Sequence, residues 1–288
     1  MNAHYNAAMT FSPADIERSV RQALAEDVGA GDLTAQLIPA TQSASATLIS
    51  REEAVLCGRA WLEACFQLTD ASTRIVWHAA EGERIHAGQT LCEIHGTARC
   101  LLTAERCALN FLQTLSAVAT ATRRYVDAID GTAAAIMDTR KTLPGLRLAQ
   151  KYAVSVGGGL NQRIGLFDGI LIKENHIAAA GGIVPALQAA QRVAGASIPV
   201  QIEVESLAEL DTALDAGARL ILLDNFTLEQ LRAAVTLNAG RAQLEASGNI
   251  TLDNVRAVAE SGVQRISIGA LTKNIRAVDL SMRITSAP

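Results

Sequence analysis

The chain has 288 residues, 49 % of them apolar, few aromatics and a formal net charge of −4. A sequence pI near 5.8 argues against nucleic acid or an anionic membrane surface as the main partner, since such surfaces recruit basic proteins. No stretch approaches the ~18 uninterrupted apolar residues of a membrane span, and the opening MNAHYNAAMTFSPAD has no basic region leading into an apolar one. A soluble, cytoplasmic protein without a secretory signal is therefore expected.

In chain order, SPADIERSVRQALAEDVG (12–29) reads as a helix, with Ser12 as N-cap, Pro13 at the first helical position and Gly29 as the stop. Two strand-rich stretches follow, SASATLISREEAVLCG (43–58) and TRIVWHAAEGERIHAGQTLCEIHGTA (73–98), the second punctuated by EG, AG and HG pairs that suit hairpins. Between them AWLEACFQL (60–68) reads as a helix. TAERCALNFLQTLSAVATATRRYVDAI (103–129) is a long helical pattern, with Leu109, Leu112, Leu115 and Val118 three apart.

From residue 133 the rhythm changes. Apolar strand-like runs recur: AAAIMDT (133–139), GILIK (169–173), PVQIEVE (199–205), RLILLDN (219–225), AQLEASG (242–248) and RISIGAL (265–271). Helical stretches separate most of them: IVPALQAAQRVAG, SLAELDTALDAGA, TLEQLRAAVTLNA and TLDNVRAVAESGV. Strand–helix alternation with buried strands means βαβ units and a parallel sheet. Six runs favour a closed or nearly closed barrel, incomplete because fewer than eight strands are clear, over an open doubly wound sheet.

Cys57, Cys65, Cys92, Cys100 and Cys107 are an odd set with no CxxC pair and no Cys/His metal spacing. They read as reduced packing residues. His4, His78, His86 and His95 lie outside the barrel-like region and are not expected to be catalytic. P-loop, dinucleotide-binding and HExxH motifs are absent from the sequence.

The chemistry gathers after the apolar runs. They end in Asp138-Thr139-Arg140-Lys141, Lys173-Glu174-Asn175-His176, Glu203 with Glu205, Asp224-Asn225, Ser247-Gly248-Asn249, and Gly269-Ala270-Leu271-Thr272-Lys273. In a β/α barrel the C-terminal strand ends open on one face, which holds the site. Arg140, Lys141, Arg163 and Lys173 supply positive charge there, and guanidinium groups pair two-pronged with carboxylate or phosphate. Glu203, Glu205 and Asp224 supply negative charge, and carboxylates beside a phosphate site suit Mg²⁺. The two glutamates, two apart on a strand, are expected to point the same way. The glycine-containing ends offer backbone N–H groups to a phosphate. The set suits a sugar phosphate with Mg²⁺ and a second anion gripped by arginines.

These motifs resemble quinolinate phosphoribosyltransferase, along nearly the whole chain: EDVGAGDLTAQLIP (26–39), TAERCALNFLQTLSAVAT (103–120), DTRKTLPGLRLAQKYAVSVGGGLNQR (138–163), DGILIKENH (168–176), EVES, LLDNF, EASGNI and ISIGALT. The resemblance implies an α/β fold of two domains. Residues 1–120 would form an N-terminal α/β sandwich with a long helix. Residues 121–288 would form an incomplete, open α/β barrel of the type II phosphoribosyltransferase kind, the extreme C-terminus being a candidate to pack back on the first domain. It implies a pentosyltransferase that joins quinolinate to phosphoribosyl pyrophosphate and yields nicotinate mononucleotide, pyrophosphate and CO₂ for NAD synthesis, with Mg²⁺. It also implies a homodimer, open to further assembly, with Arg106 reaching in from the neighbouring subunit.

Residue by residue, the resemblance assigns Arg140, Arg163 and Lys173 to the two quinolinate carboxylates. Lys141 falls on the phosphoribosyl pyrophosphate side, and Thr139 is a further substrate-binding residue. Glu203 and Asp224 go to the ribose hydroxyls and Mg²⁺, with Glu205 second choice to Glu203. Ser247-Gly248-Asn249 and Ile268-Gly269-Ala270 form the 5′-phosphate cradle. Lys141, Lys173, Glu203 and Asp224 are thus the candidate catalytic groups. Two positions depart from the family pattern: Gln162 stands where many members have His, which discounts an acid or base role there, and Ala117 stands where Gly is common. The alternatives are a paralogue of the same fold from molybdenum-uptake operons acting on another anion, a nicotinate phosphoribosyltransferase, and a non-catalytic binding protein.

Overall fold

The structure is a computed structural model and describes residues 12–195 and 197–286. The opening residues and His4 lie outside the described residues. The chain divides into two compact units.

One unit comprises residues 12–121, 143–158 and 274–286. Its first helix, α1 (Pro13–Val28), starts where the sequence predicts: the Ser12 hydroxyl accepts from the Asp15 N–H, and Gly29 closes the helix at φ 54°. Strands β1 (Ser43–Ser50) and β2 (Ala54–Val55) lead to helix α2 (Arg59–Thr69). Then come β3 (Arg74–Trp77), β4 (Arg84–Ile85), β5 (Thr90–Thr97) and the long helix α3 (Ala98–Ala128). Helix α3 begins before the run read from sequence, because Ala98, Leu101 and Ala104 extend its buried stripe.

The unit is built on a four-stranded sheet in the order β12-β1-β5-β3, where β12 is Leu280–Ser286. Strand β1 alternates strictly, burying Ala44, Ala46, Leu48 and Ser50, as a half-buried strand must. Trp61 and Phe66 of α2 and Leu112 and Leu115 of α3 belong to the same core. Glu81 caps α2 from the turn between β3 and β4, accepting from the N–H groups of Gly58 (2.8 Å) and Arg59 (3.2 Å). All five cysteines are free and buried. Burial pushes the Cys92 thiol up to about 12 and that of Cys107 to about 11, so they are inert packing groups.

The other unit comprises Thr122–Thr142 and Gly159–Lys273. Its strands are β6 (Ala135–Met137), β7 (Ile170–Ile172), β8 (Val200–Val204), β9 (Leu220–Asp224), β10 (Gln243–Ser247) and β11 (Arg265–Ser267). They form one parallel sheet in the order β6-β11-β10-β9-β8-β7. Strands β6 and β7 stand at its two ends and do not pair with each other, so the barrel is open. The helices of this unit are α5 (Glu174–Ala180), α6 (Ile183–Ala194), α7 (Leu207–Asp215), α8 (Leu228–Asn238), α9 (Val255–Ala259) and α10 (Ala270–Lys273). Helix α4 (Arg147–Val156) belongs to the first unit.

The parallel strands alternate in a way the sequence reading overlooked. Ile202, Val204, Ile221, Leu223, Leu244, Ala246 and Ile266 form the buried apolar set. The intervening positions carry Gln201, Glu203, Asp224, Gln243, Glu245, Ser247, Arg265 and Ser267, together with Leu220 and Leu222 of β9. Gln201 donates to Glu245 at 3.0 Å across the intervening strand β9, which two strands can do only on the concave side of a curved sheet. The inner face is therefore largely polar, with Leu222 set between Glu203 and Glu245. It runs from a buried floor at Gln201 and Glu245 to the strand ends.

Candidate functional site

The strand ends of the open barrel hold most of the residues singled out from the sequence. Thr139, Arg140 and Lys141 follow β6. Lys173 follows β7 as the N-cap residue of α5, and Glu203 is the penultimate residue of β8. Asp224 ends β9, Ser247 ends β10 with Gly248 and Asn249 next, and Ile268-Gly269-Ala270 follow β11. Arg106 is exposed on the part of α3 that belongs to the other unit.

Lys173 and Glu203 meet directly. The ammonium Nζ stands 3.2 Å from one carboxylate oxygen and 3.0 Å from the other. The Glu203 side chain is only 8 % exposed, against 47 % for Lys173. Burial holds the Glu203 carboxyl above its ordinary range; the Lys173 ammonium pulls it back down, and Asp224 and Glu174 push it up again. Glu203 thus carries the lysine and also feels the neighbouring Asp224 carboxylate. Glu205 differs from the sequence expectation: β8 ends at Val204, so strand alternation does not extend to it, and Glu205 is exposed.

The β6 and β11 ends interlock. The Thr272 hydroxyl donates to the Lys141 carbonyl at 2.7 Å, and the Thr139 hydroxyl accepts from the Lys141 N–H at 3.0 Å. The Lys141 side chain runs over Gly269, where a Cβ would sit 2.9 Å from Lys141 Cδ. The β9 and β10 ends interlock as well. The Asn225 N–H donates to the Ser247 carbonyl at 2.9 Å, and Gly248 (φ 95°) leaves no room for a Cβ, which would overlap Asn225 Oδ1. These two tight, N–H-rich turns are what an anion cradle requires.

Arg163 lies in the loop that precedes β7, and its Nη1 donates to the Gly169 carbonyl at 2.9 Å. The loop is anchored by Asp138, fully buried, which accepts from Asn161 Nδ2 (2.7 Å) and from the Gln162 N–H (2.8 Å). The Gln162 side chain turns inward: its Nε2 reaches both oxygens of Glu245, one at 2.7 Å, and Gln201 at 3.3 Å. The half-buried Gln162 and the buried Gln201 and Glu245 thus form a floor beneath the charged rim. Glu245 and Gln201 were not singled out from the sequence. The signal was present, as polar residues inside otherwise apolar runs (QLEAS, VQIEV) in the same phase as Ser247 and Glu203.

The donor set can be tested against the Mg²⁺ that the fold family implies. Glu203 and Asp224 offer hard carboxylate oxygens, and among the described residues no group of three His, Cys, Asp or Glu could hold a metal by itself. Mg²⁺ is commonly held by one or two carboxylates, with substrate oxygens and water completing its shell. The residues present fit such a shared site.

Comparison with known proteins gives one family along the chain. Residues 32–116 match the N-terminal domain of quinolinate phosphoribosyl transferase, and residues 118–283 match its C-terminal domain. The chain is 42 % identical over 260 residues to the probable nicotinate-nucleotide pyrophosphorylase (carboxylating) of Bacillus subtilis, covering 90 % of each. It is 42 % identical to the nicotinate-nucleotide pyrophosphorylase (carboxylating) of Mycobacterium leprae, covering 92 % of this chain and 95 % of that one. Its fold superposes on the nicotinate-nucleotide pyrophosphorylase structure from Francisella tularensis with a TM-score of 0.92 and 43 % identity, covering 96 % of this chain and 98 % of that one. The chain belongs to the quinolinate phosphoribosyl transferase family.

Proposed function

We propose that this chain transfers the phosphoribosyl group of phosphoribosyl pyrophosphate to quinolinate and releases pyrophosphate, CO₂ and nicotinate mononucleotide, a step of NAD biosynthesis. The observation that carries the reading is the juxtaposition, at the strand ends of one open barrel, of basic side chains, two cradle-like turns and the acidic residues Glu203 (buried) and Asp224 (half-buried), in a chain closely similar to carboxylating nicotinate-nucleotide pyrophosphorylases.

Arg140, Arg163 and Lys173 grip the two quinolinate carboxylates. The turns at Ser247-Gly248-Asn249 and Ile268-Gly269-Ala270 hold the 5′-phosphate, and Thr139 and Lys141 lie toward the pyrophosphate. Glu203 and Asp224 are the residues that would hold Mg²⁺, which when bound would supply charge neutralisation for the pyrophosphate. The C1–O bond to pyrophosphate breaks with its electron pair leaving on oxygen. Lys141 stabilises that developing charge, and the buried Glu203 carboxylate faces the positive charge growing at C1. The quinolinate nitrogen uses its lone pair to form the bond to C1. The ring nitrogen is then cationic, so the bond from C2 to its carboxylate can break, with the electron pair held on the ring, CO₂ leaving and a proton taken up at C2. No covalent nucleophile is required; the protein's work is to align the two substrates.

The working form is a cytoplasmic homodimer in which Arg106 of one subunit completes the quinolinate site of the other. The exposure of Arg106 and the five reduced thiols support this. The test is an assay of purified protein with phosphoribosyl pyrophosphate, Mg²⁺ and either quinolinate or nicotinate. Equimolar nicotinate mononucleotide and CO₂ from quinolinate is the expected result; product from nicotinate alone would overturn the assignment.

A further inference from the structure

We propose that Asn225 is a positioning residue that fixes the orientation of the Asp224 carboxylate from the phosphate-cradle side of the site, an inference that rests on the functional reading above. Asn225 has φ 57° and Asn249 φ 50°, both in the left-handed region. Among the described residues the only other non-glycine there is Ala239, which caps a helix. Asparagine tolerates this region better than most side chains, though glycine does so with less strain. Two adjacent asparagines in that conformation, at the tips of neighbouring strands, therefore suggest that their side chains are needed.

The side chains form a directed line. Asn225 Nδ2 donates to Asp224 Oδ2 at 2.7 Å, and Asn225 Oδ1 accepts from Asn249 Nδ2 at 3.3 Å. The Asn249 carbonyl accepts from Asn254 Nδ2 at 3.1 Å, and Asn254 Oδ1 accepts from the Thr251 N–H at 2.9 Å. The two ends of the Asn225 amide are not interchangeable: Asn249 presents a donor and needs the oxygen, while Asp224 is an acceptor and needs the nitrogen. Gly248 packs against the same amide so closely that a Cβ would displace it. Asp224 is thereby held with one oxygen engaged and the other left for the ribose or the metal. The 5′-phosphate and the ribose–pyrophosphate end belong to one substrate, so the cradle and the acid are aligned to each other through this amide.

Asn225→Gly keeps the backbone conformation and removes the donor. Asn225→Asp keeps the shape and sets a carboxylate against Asp224. Calorimetric binding of phosphoribosyl pyrophosphate, with and without Mg²⁺, reads the effect without turnover, and quinolinate binding with a thermal midpoint controls for the fold. The expected result is that both variants keep the parent's quinolinate affinity and midpoint but lose roughly ten- to hundredfold of the gain in substrate affinity that Mg²⁺ confers, the usual effect of removing a partner that orients a metal-binding group. An Asn225→Gly protein with the parent's full Mg²⁺-dependent gain would overturn the proposal. A parent protein with no such gain would overturn the reading of the acidic pair itself, and would do so before any substitution is made.

Discussion

Lys173 and Glu203 form a lopsided pair: the ammonium lies within 3.2 Å of both carboxylate oxygens, yet the lysine is half in solvent and the glutamate is buried. The lysine offsets the burial of the glutamate. It is also a proposed quinolinate ligand, so substrate binding divides its charge between two carboxylates.

Replacing Lys173 with Met should therefore alter the pH dependence of stability as well as abolish quinolinate binding. The Glu203 carboxyl already lies above its ordinary range through burial, and Lys173 is what lowers it. A carboxyl whose pKa is higher in the folded than in the unfolded state destabilises the fold where it is ionised, and the penalty fades as pH falls through the folded value. The Lys173→Met protein should lose roughly 1–2 kcal/mol at neutral pH, and the deficit should shrink as the medium is acidified. Thermal midpoints of both proteins across the acid range check this; a deficit that stays constant would detach Lys173 from Glu203.

Two glycines at the site should respond differently to alanine. Gly248 has φ 95° and its new Cβ would overlap the Asn225 amide, so Gly248→Ala should cost roughly 1–3 kcal/mol in backbone strain and remove phosphoribosyl pyrophosphate binding. At Gly269 the one close approach of the new Cβ would be to Lys141 Cδ at 2.9 Å, part of a flexible side chain. Gly269→Ala should change stability by under about 1 kcal/mol while raising the KM for phosphoribosyl pyrophosphate. Melting curves and KM values for the pair test the contrast.

Much of this was legible in the sequence. The six strand runs and the long helix are where the apolar rhythm places them, and Ser12, Pro13 and Gly29 delimit α1. Helix α4 was not read, because Gln150 and Lys151 look like an exposed polar step, yet both are fully buried. The run RISIGAL reads as strand throughout, but the chain leaves the sheet after Ser267 and turns into α10. The rim of the site is legible since charge clusters where apolar runs stop. The floor is not, because a single Glu245 or Gln201 inside a strand declares its face only when the register with its neighbours is known.

Gln162→His would test that floor. An imidazole placed against the buried Glu245 carboxylate, where the Gln162 amide now sits, should have its pKa raised above the usual ~6.5 by the opposite charge. The NMR titration of the introduced ring reads this directly. A value below the ordinary range would mean that desolvation outweighs Glu245.

Chelation should separate catalysis from folding. Glu203 and Asp224 would make only part of a metal shell, and no group of three His, Cys, Asp or Glu that could hold a metal exists among the described residues. A chelator should stop turnover while leaving the thermal midpoint of the substrate-free protein unchanged. A large drop in that midpoint would reveal a structural metal instead.

The pairing of β12 with β1 has a consequence for biosynthesis. Strand β1, near the start of the chain, lies between β5 and β12 in its sheet, and all seven of its β12 partners fall within residues 280–286. While the chain is still on the ribosome, the barrel strands can be complete and β1 still presents a bare edge. A chain stopped at residue 279 would keep that edge permanently, with its unpaired N–H and C=O groups open to another nascent chain. The last strand thus closes a window of vulnerability that stays open until nearly all of the described chain has been translated.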